Sequence, residues 1–161
     1  MPLTHDDIET LAADAATSPN TLFEAIADVA TRSVNAGLVT VMRHDAAAST
    51  VERLYSSNPQ AYPVGGKKAK RDTAWGREVL TEHRLLVSAG DAALAKSFDD
   101  HATIIGLGLH SCVNVPLVSE SKCVGTLNVC AVRSDWTDDE VSFVRALGLA
   151  ALAGVLAVIK S

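Results

Sequence analysis

The sequence predicts an α+β fold: a central antiparallel sheet of five or six strands, with helices supplied by the two ends of the chain. Three observations lead to this prediction. Residues 111–118 and 122–132 have the residue types of two strands joined by a polar turn. Residues 38–45 and 50–57 make a second strand pair with a tight connection. A long apolar helix follows a capping-box pattern at Thr137 and Glu140.

The composition fits one domain over residues 1–161. With 48% apolar and 20% charged residues in 161, the chain has enough apolar material for a substantial core. Within this domain, residues 1–36 supply the N-terminal helices, residues 38–132 the sheet with the segments between its strands, and residues 137–160 the C-terminal helix.

Charge and cysteine content limit the class of partner and the compartment. A net charge of -5 argues against a general nucleic-acid binder. Three cysteines without CxxC spacing indicate a reduced, cytoplasmic protein, and the acidic N-terminus differs from a signal peptide. The longest nearly uncharged stretch, residues 146–159, has 14 residues and is shorter than a membrane span. We therefore expect no membrane partner.

The N-terminal residues predict two amphipathic helices. The first covers residues 6–16, and Ser18 with Pro19 begins a second one in which Thr21 and Glu24 have capping-box spacing. Residues 35–37 end this helix before the first strand. The pattern predicts helices that pack on the sheet.

A 17-residue segment without periodicity, residues 56–72, follows the first strand pair. It contains two prolines, two glycines and four basic residues, and a loop of this length in a small domain is usually functional or disordered. Lys67, Lys68, Lys70 and Arg71 would suit a carboxylate or phosphate, although a solvated basic loop explains them too. The glycines do not have the spacing of a P-loop.

The middle of the chain predicts short elements above the sheet. Asp72 or Thr73 can cap a helix that runs to residue 80, and residues 84–88 read as a strand. Ser97 and Asp100 have capping-box spacing before a helix that ends at Gly108. We call residues 98–108 the roof segment.

Aromatic and amide side chains are candidates for ligand binding. Tyr55, Tyr62 and Trp75 surround the long loop in a chain with few aromatics, and they can wall a pocket or anchor the loop. Asn114 and Asn128 are unusual in mid-strand, and if buried they need partners in the roof segment or in a ligand. Ile104 would face the same pocket from the roof segment.

Two groups of residues are catalytic candidates. Asp100 beside His101 could act as a general base and also contact a ligand, although helix capping is an alternative role for Asp100. Cys112 and Cys130 could perform thiol chemistry, although buried cysteines are usually small apolar residues. The sequence contains no metal-ligand motif, and we predict neither a metal nor a cofactor.

The motifs LGLHSCVNVPL, VGTLNV and WTDDEVSFVRALG, in this order of elements, resemble the GAF domain family over residues 22–159. The stretch YSSNPQAYPVGGKK is similar to that of small stand-alone bacterial GAF proteins. The resemblance implies helices on one sheet face and, on the other, a pocket covered by the roof segment. It also implies a sensory or regulatory protein that binds a small molecule. The basic loop suits an anionic or amphipathic metabolite, and the last helix, which is apolar almost all round, predicts a homodimer formed by the terminal helices.

Departures from family patterns argue against some of the ligands and activities that the family is known for. The roof segment has no cysteine for a covalent bilin, and Val132-Arg133 stands where cyclic-nucleotide binders have Asn-Lys. Free methionine-(R)-sulfoxide reductase, a more distant likeness, carries its cysteines in the pocket roof, and these positions are not matched. A small enzyme using thiol or His/Asp chemistry and a ligand-free dimerisation module remain as alternatives.

Overall fold

The computed structural model describes residues 2–69 and 73–161. In these residues the strands form one antiparallel sheet of six strands in the order β3-β2-β1-β6-β5-β4. The elements in chain order are α1 His5–Ala15, α2 Pro19–Val34, β1 Ala36–Asp45, β2 Thr50–Ser56, β3 Lys67–Ala69, a π-helical segment Gly76–Thr81, β4 Leu86–Ala89, α3 Asp91–Ser97, α4 His101–Gly106, β5 Ser111–Ser119, β6 Lys122–Ala131 and α5 Asp138–Lys160. The predicted α+β class with a six-stranded antiparallel sheet is confirmed.

The main core lies between one face of the sheet and helices α1, α2 and α5. Alternation along the central strands sends Val39 and Val41 of β1, together with Val113 of β5, to this helix face, where all three are buried. The residues between them point to the opposite face, which carries the long loop after β2, the π-helical segment and helices α3 and α4. The helices therefore cover one face, and the second face is left for a cavity.

Capping explains where the outer helices begin. The predicted capping box of α5 is confirmed: Thr137 Oγ1 accepts from the Glu140 N–H at 3.2 Å, and Glu140 Oε1 accepts from the Thr137 N–H at 2.9 Å. The predicted box at Thr21 and Glu24 is wrong. Ser18 is the cap of α2, accepting from the Thr21 N–H at 3.1 Å, because Pro19 fixes the first helical position.

Helix α5 can lie close to its neighbours because small residues face them. A Cβ on Gly154 would be 2.4 Å from Phe23 Cε1 in α2, and a Cβ on Gly148 would be 2.9 Å from Val115 Cγ1 in β5. Substituents at these positions would separate α5 from the rest of the core.

By length and composition, α5 could also cross a membrane, with a mean hydropathy of 2.1 over its most apolar stretch. Its most buried residues, which include Val144, Leu147 and Ala151, pack in the core of the domain. The core helix of a soluble protein passes the same test, so this is weak evidence for a membrane span.

The segment between β2 and β4 contains more structure than the sequence pattern predicts. Residues 67–69 add an edge strand, β3, inside the predicted loop. The predicted helix is a π-helical segment, Gly76–Thr81, and Thr73 Oγ1 accepts from the Gly76 N–H at 3.0 Å just before it. The alternative cap, Asp72, and the basic residues Lys70 and Arg71 lie outside the described residues.

The predicted capping box at Ser97 and Asp100 is wrong. Ser97 is the last residue of α3, a helix that the sequence pattern did not predict, and its hydroxyl lies 2.9 Å from that of Ser88 in β4. Helix α4 begins only at His101, and the side chain of Asp100 makes no capping hydrogen bond. The Asp100 carboxylate is therefore available for contacts outside its own helix.

Candidate functional site

A cavity of about 100 Å³ lies between the second face of the sheet and the roof segment. Its position agrees with the predicted pocket. Strands β1, β2, β5 and β6 supply the floor, and the long loop with β3, Trp75 just before the π-helical segment, and the roof segment supply the walls. The lining residues are Leu38, Thr40, Met42, Val51, Arg53, Tyr62, Lys68, Trp75, Phe98, Asp100, Ile104, Cys112, Asn114, Asn128 and Cys130.

The two asparagines form the centre of a polar chain across the floor. They are directly opposite each other on β5 and β6, and Asn114 Nδ2 donates to Asn128 Oδ1 at 2.7 Å. Asn128 Nδ2 in turn donates to the hydroxyls of Thr40 and Thr126, each at 3.1 Å. The amide of Asn128 is thus held by neighbouring strands, as a buried polar group requires.

Asn114 is held less completely. Its side chain is buried, with 1% of the residue exposed, and Oδ1 has no hydrogen-bond partner among the described residues. An unpaired buried acceptor is costly, because it loses its hydrogen bonds to water. A donor group of a ligand in the cavity would satisfy this oxygen.

Tyr62 and Asp100 close one wall. The Tyr62 hydroxyl donates to Asp100 Oδ2 at 2.8 Å, which connects the long loop to the start of α4. Burial, followed by the hydrogen bond and the charge of Asp100, raises the pKa of Tyr62 well above its ordinary value. Tyr62 is therefore a neutral donor over the physiological pH range, and it holds the carboxylate at the cavity edge.

Two positively charged side chains, those of Arg53 and Lys68, line the cavity from the neighbouring strands β2 and β3. The guanidinium of Arg53 lies 5.0 Å from the centre of the Tyr62 ring, and its Nη1 donates to the carbonyl of Pro63 at 3.0 Å. Lys68 of β3 pairs in register with Val51 of β2, so the two residues share the cavity face. With Asp100, the lining therefore has two positive charges and one negative charge.

Apolar side chains complete the lining of the cavity, and a second depression adjoins it. Trp75 is 4% exposed and packs with Val51 and Cys123. A second depression, about 480 Å³, shares Lys68, Trp75, Phe98 and Asp100 with the first. A ligand could therefore place a small group inside and a larger part in the outer depression.

Tyr55 is not part of this cavity, contrary to the sequence-based prediction. A bulge shifts the register so that Tyr55 pairs with Val41 and Arg53 pairs with Met42, leaving Leu54 as an extra residue. This extra residue reverses the alternation, and Tyr55 faces the helices, with its ring centre 6.2 Å from that of Phe23.

Two other predicted site residues do not line the cavity. Lys67 pairs with Glu52, so alternation along β3 places it opposite to Lys68. His101 has its Nδ1 2.9 Å from the carbonyl oxygen of Phe98, whereas the carboxylate of Asp100 is bonded to Tyr62. The structure therefore does not bring His101 and Asp100 together as an acid–base pair.

The two cysteine candidates lie together on the floor. Cys112 of β5 and Cys130 of β6 are opposite each other, their sulfur atoms are 2.7 Å apart, and both are reduced. The hydrogen bond from Cys130, reinforced by burial, raises the pKa of the Cys112 thiol well above its ordinary value.

Some cavity residues were not predicted. Arg53 is the important one, because together with Lys68, which the sequence had indicated as one of four basic loop residues, it sets the charge of the lining. Arg53 could have been found from its alternation with the apolar Val51 on one strand. The sequence could not show that Lys68 rather than Lys67 lines the cavity, because their orientation depends on pairing between β3 and β2 within an aperiodic segment.

Several solved structures are similar to this one. The GAF domain of a phosphoenolpyruvate-protein phosphotransferase from Coxiella burnetii has a TM-score of 0.74 and 14% identity, covering 96% of this chain and 93% of that chain. The GAF domain of a two-component sensor histidine kinase from Bacillus halodurans has a TM-score of 0.70 and 16% identity, covering 98% and 97%. Residues 122 to 287 of a methyl-accepting chemotaxis protein give a TM-score of 0.69 and 15% identity, covering 91% and 94%.

At these identities the likeness shows the fold. A search of curated proteins gives no match to this sequence. The family model of the GAF domain matches residues 18–155, which include α2, the whole sheet, the cavity and most of α5. The chain therefore belongs to the GAF domain family.

Proposed function

We propose that this domain binds a small metabolite carrying both an anionic group and a hydrogen-bond donor, and that binding has a sensory or regulatory role. GAF domains are in general small-molecule-binding sensory or regulatory domains. The observation that carries the proposal is the buried Asn114 Oδ1, an acceptor on the cavity floor without a partner among the described residues.

The charges favour an anionic ligand group. Arg53 and Lys68 outnumber Asp100 in the lining, and the Asp100 charge is already shared with the Tyr62 hydroxyl. A carboxylate could bind between the two cations while a hydroxyl or amine of the same ligand donates to Asn114. The apolar part would then contact Ile104 and Trp75.

The size of the cavity limits the enclosed part of the ligand. Because a cavity of about 150 Å³ holds benzene, a cavity of about 100 Å³ admits a group of roughly four non-hydrogen atoms. A longer molecule would extend into the outer depression, where Lys96 and Asp99 add charged groups.

The names of the similar structures support the sensory role. One belongs to a sensor histidine kinase and another to a chemotaxis protein. In such a role, the roof segment is the part placed to respond, because the ligand would contact Asp100 and Ile104 from below.

The first experiment is native mass spectrometry of the freshly purified chain, which we expect to release a bound small anion. The second is a fluorescence titration in a Trp136→Phe background, so that Trp75 alone reports. Glycolate, lactate and alanine are suitable probes, because each combines a carboxylate with a hydroxyl or amine.

A matched pair of variants makes the titration specific. Lys68→Ala should weaken binding, whereas Lys67→Ala, one residue away on the opposite side of β3, should leave it unchanged. Asn114→Ala should abolish the response while the far-ultraviolet circular dichroism is kept. If no molecule co-purifies and no probe alters Trp75 fluorescence, the binding function is wrong and a ligand-free role is favoured.

We also propose that the domain forms a homodimer through its terminal helices. Leu149 is 74% exposed on α5, and a depression of about 430 Å³ beside it is lined by residues of α5 and β5, among them Leu152 and Val115. Sedimentation should give a dimer that Leu149→Glu converts to a monomer. A wild-type monomer near 17 kDa at micromolar concentration would contradict the proposal.

A further inference from the structure

The floor of the cavity carries a pair of thiols in a geometry close to that of a disulfide. The sulfur atoms of Cys112 and Cys130 are 2.7 Å apart, whereas an S–S bond is about 2.05 Å long. Directly opposite residues of antiparallel strands have Cα atoms roughly 4.5–5.5 Å apart, which lies within the range that disulfides span. The backbone therefore needs no rearrangement for the bond to form.

The cavity also determines which oxidant can reach these thiols. Both cysteines are almost fully buried, at 2% and 4% exposure, and both line the cavity. With a volume of about 100 Å³, the cavity admits a molecule with two oxygen atoms but not a tripeptide disulfide. Cys123, the third cysteine, lies elsewhere, with its thiol donating to the Gly125 carbonyl at 3.2 Å.

We propose that Cys112 and Cys130 are a reversible dithiol–disulfide site that is oxidised by hydrogen peroxide entering through the cavity. This proposal rests on the geometry of the thiols and is independent of the metabolite proposed above.

The reaction balances with peroxide as the two-electron oxidant. One thiolate attacks an oxygen of hydrogen peroxide; the S–O bond forms, the O–O bond breaks, and the leaving hydroxide takes up a proton to become water. The second sulfur then attacks the sulfenic acid, loses its proton, and displaces a second water as the S–S bond forms. Two thiols are oxidised by two electrons, and one peroxide is reduced to two waters.

The surroundings predict a slow reaction at neutral pH. The raised pKa of Cys112 keeps the thiol protonated, and the thiolate is the attacking form. The rate should therefore rise by about tenfold per pH unit below the thiol pKa. The bond would fix β5 to β6 at the point where Asn114 Nδ2 lies 3.8 Å from Cys112 Sγ, and so would reshape the floor around Asn114.

The test treats the full chain with hydrogen peroxide, removes the excess with catalase, denatures the protein and labels remaining thiols with N-ethylmaleimide. Intact mass spectrometry should show that the wild type loses two hydrogen atoms and takes one label, at Cys123. Cys123→Ser should take no label. Cys112→Ser and Cys130→Ser should form no disulfide within the chain, so their intact masses should not fall by two hydrogen atoms. Dithiothreitol should restore all labels.

Three results would overturn the proposal: three labels on the wild type after oxidation, a disulfide whose fragment ions assign it to Cys123 rather than Cys130, or oxidation by glutathione disulfide as fast as by peroxide. If a serine variant does not fold, the peptide maps of the oxidised wild type and of Cys123→Ser still test whether Cys112 and Cys130 form the disulfide. That map should join the β5 peptide to the β6 peptide.

Discussion

The hydroxyl of Tyr62 donates to the Asp100 carboxylate at 2.8 Å, and this bond joins two segments that are 38 residues apart in the chain. Tyr62 comes from the long loop after β2, and Asp100 immediately precedes α4. The loop itself is returned to β2 by a hydrogen bond from the Gly65 N–H to the Arg53 carbonyl at 2.8 Å. The wall of the cavity is therefore one connected structure.

Tyr62→Phe should loosen the roof segment without unfolding the domain. The change removes the donor to Asp100 and should cost about 1 kcal/mol, because the half-buried carboxylate can recover part of its hydration. Amide hydrogen exchange in α4 should accelerate. Tyr55→Phe is the matched control, since Tyr55 lies on the helix face against Phe23. Unchanged exchange in α4 of Tyr62→Phe would contradict the role of the bond.

The two asparagines should differ in their effect on stability. Asn128→Ala removes contacts to Asn114, Thr40 and Thr126, and should lower the free energy of unfolding by about 2–4 kcal/mol. Asn114→Ala removes an already unpaired acceptor but leaves Asn128 Oδ1 without its donor, so we expect a smaller loss of about 1 kcal/mol. Urea denaturation measures both. Equal losses would mean that the polar chain is not organised around Asn128.

Gly125→Ala should be strongly destabilising. An added Cβ would be 2.2 Å from the carbonyl oxygen of Met42 on the neighbouring strand, so the backbone of β1 or β6 must move. We expect a loss of about 3 kcal/mol, measured by thermal or urea unfolding. Gly106→Ala in α4, where no atom lies within 4 Å of the added Cβ, should instead be neutral or stabilising by about 0.5 kcal/mol. A reversal of this order would contradict the packing.

Acid should weaken the attachment of α1 through Asp7. The backbone N–H of Thr4 donates to its carboxylate and, against the effect of burial, lowers the pKa of Asp7 below 3.8; the Thr4 hydroxyl and Arg32 act in the same direction. Because its pKa is lower in the folded than in the unfolded protein, the carboxylate contributes its full stabilisation above the unfolded-state pKa. This stabilisation is lost as the pH falls through the folded-state pKa. Denaturant midpoints from pH 6 to pH 2 should therefore fall, and less steeply in Asp7→Asn. Parallel curves would exclude the linkage.

The cavity floor was predictable because the period-two alternation of β5 and β6 is unbroken over the four residues that form it. Cys112, Asn114, Asn128 and Cys130 all face the cavity, as the alternation in two consecutive strands requires. Trp75 and Tyr62 were found from their scarcity and position, and both line the cavity.

The errors have physical causes that sequence patterns do not report. The extra residue at Leu54 reverses the faces of β2 and moves Tyr55 to the helix side. The Ser97–Asp100 spacing suggested an N-terminal capping box. Ser97 instead ends the separate short helix α3, and its hydroxyl contacts that of Ser88 in β4. The orientation of Lys67 depends on a strand pairing that no local pattern specifies.

The pairing of β1 with β6 in the middle of the sheet also affects how the chain can be made. A ribosome releases β1 and β2 well before β6, so β1 cannot gain its second neighbour until residues 125–131 have emerged. Helix α2 likewise waits for α5, whose Gly154 lies against Phe23. The nascent chain must therefore expose part of the apolar faces of β1 and α2 until β6 and α5 have emerged, and late, non-local contacts should limit the rate of folding.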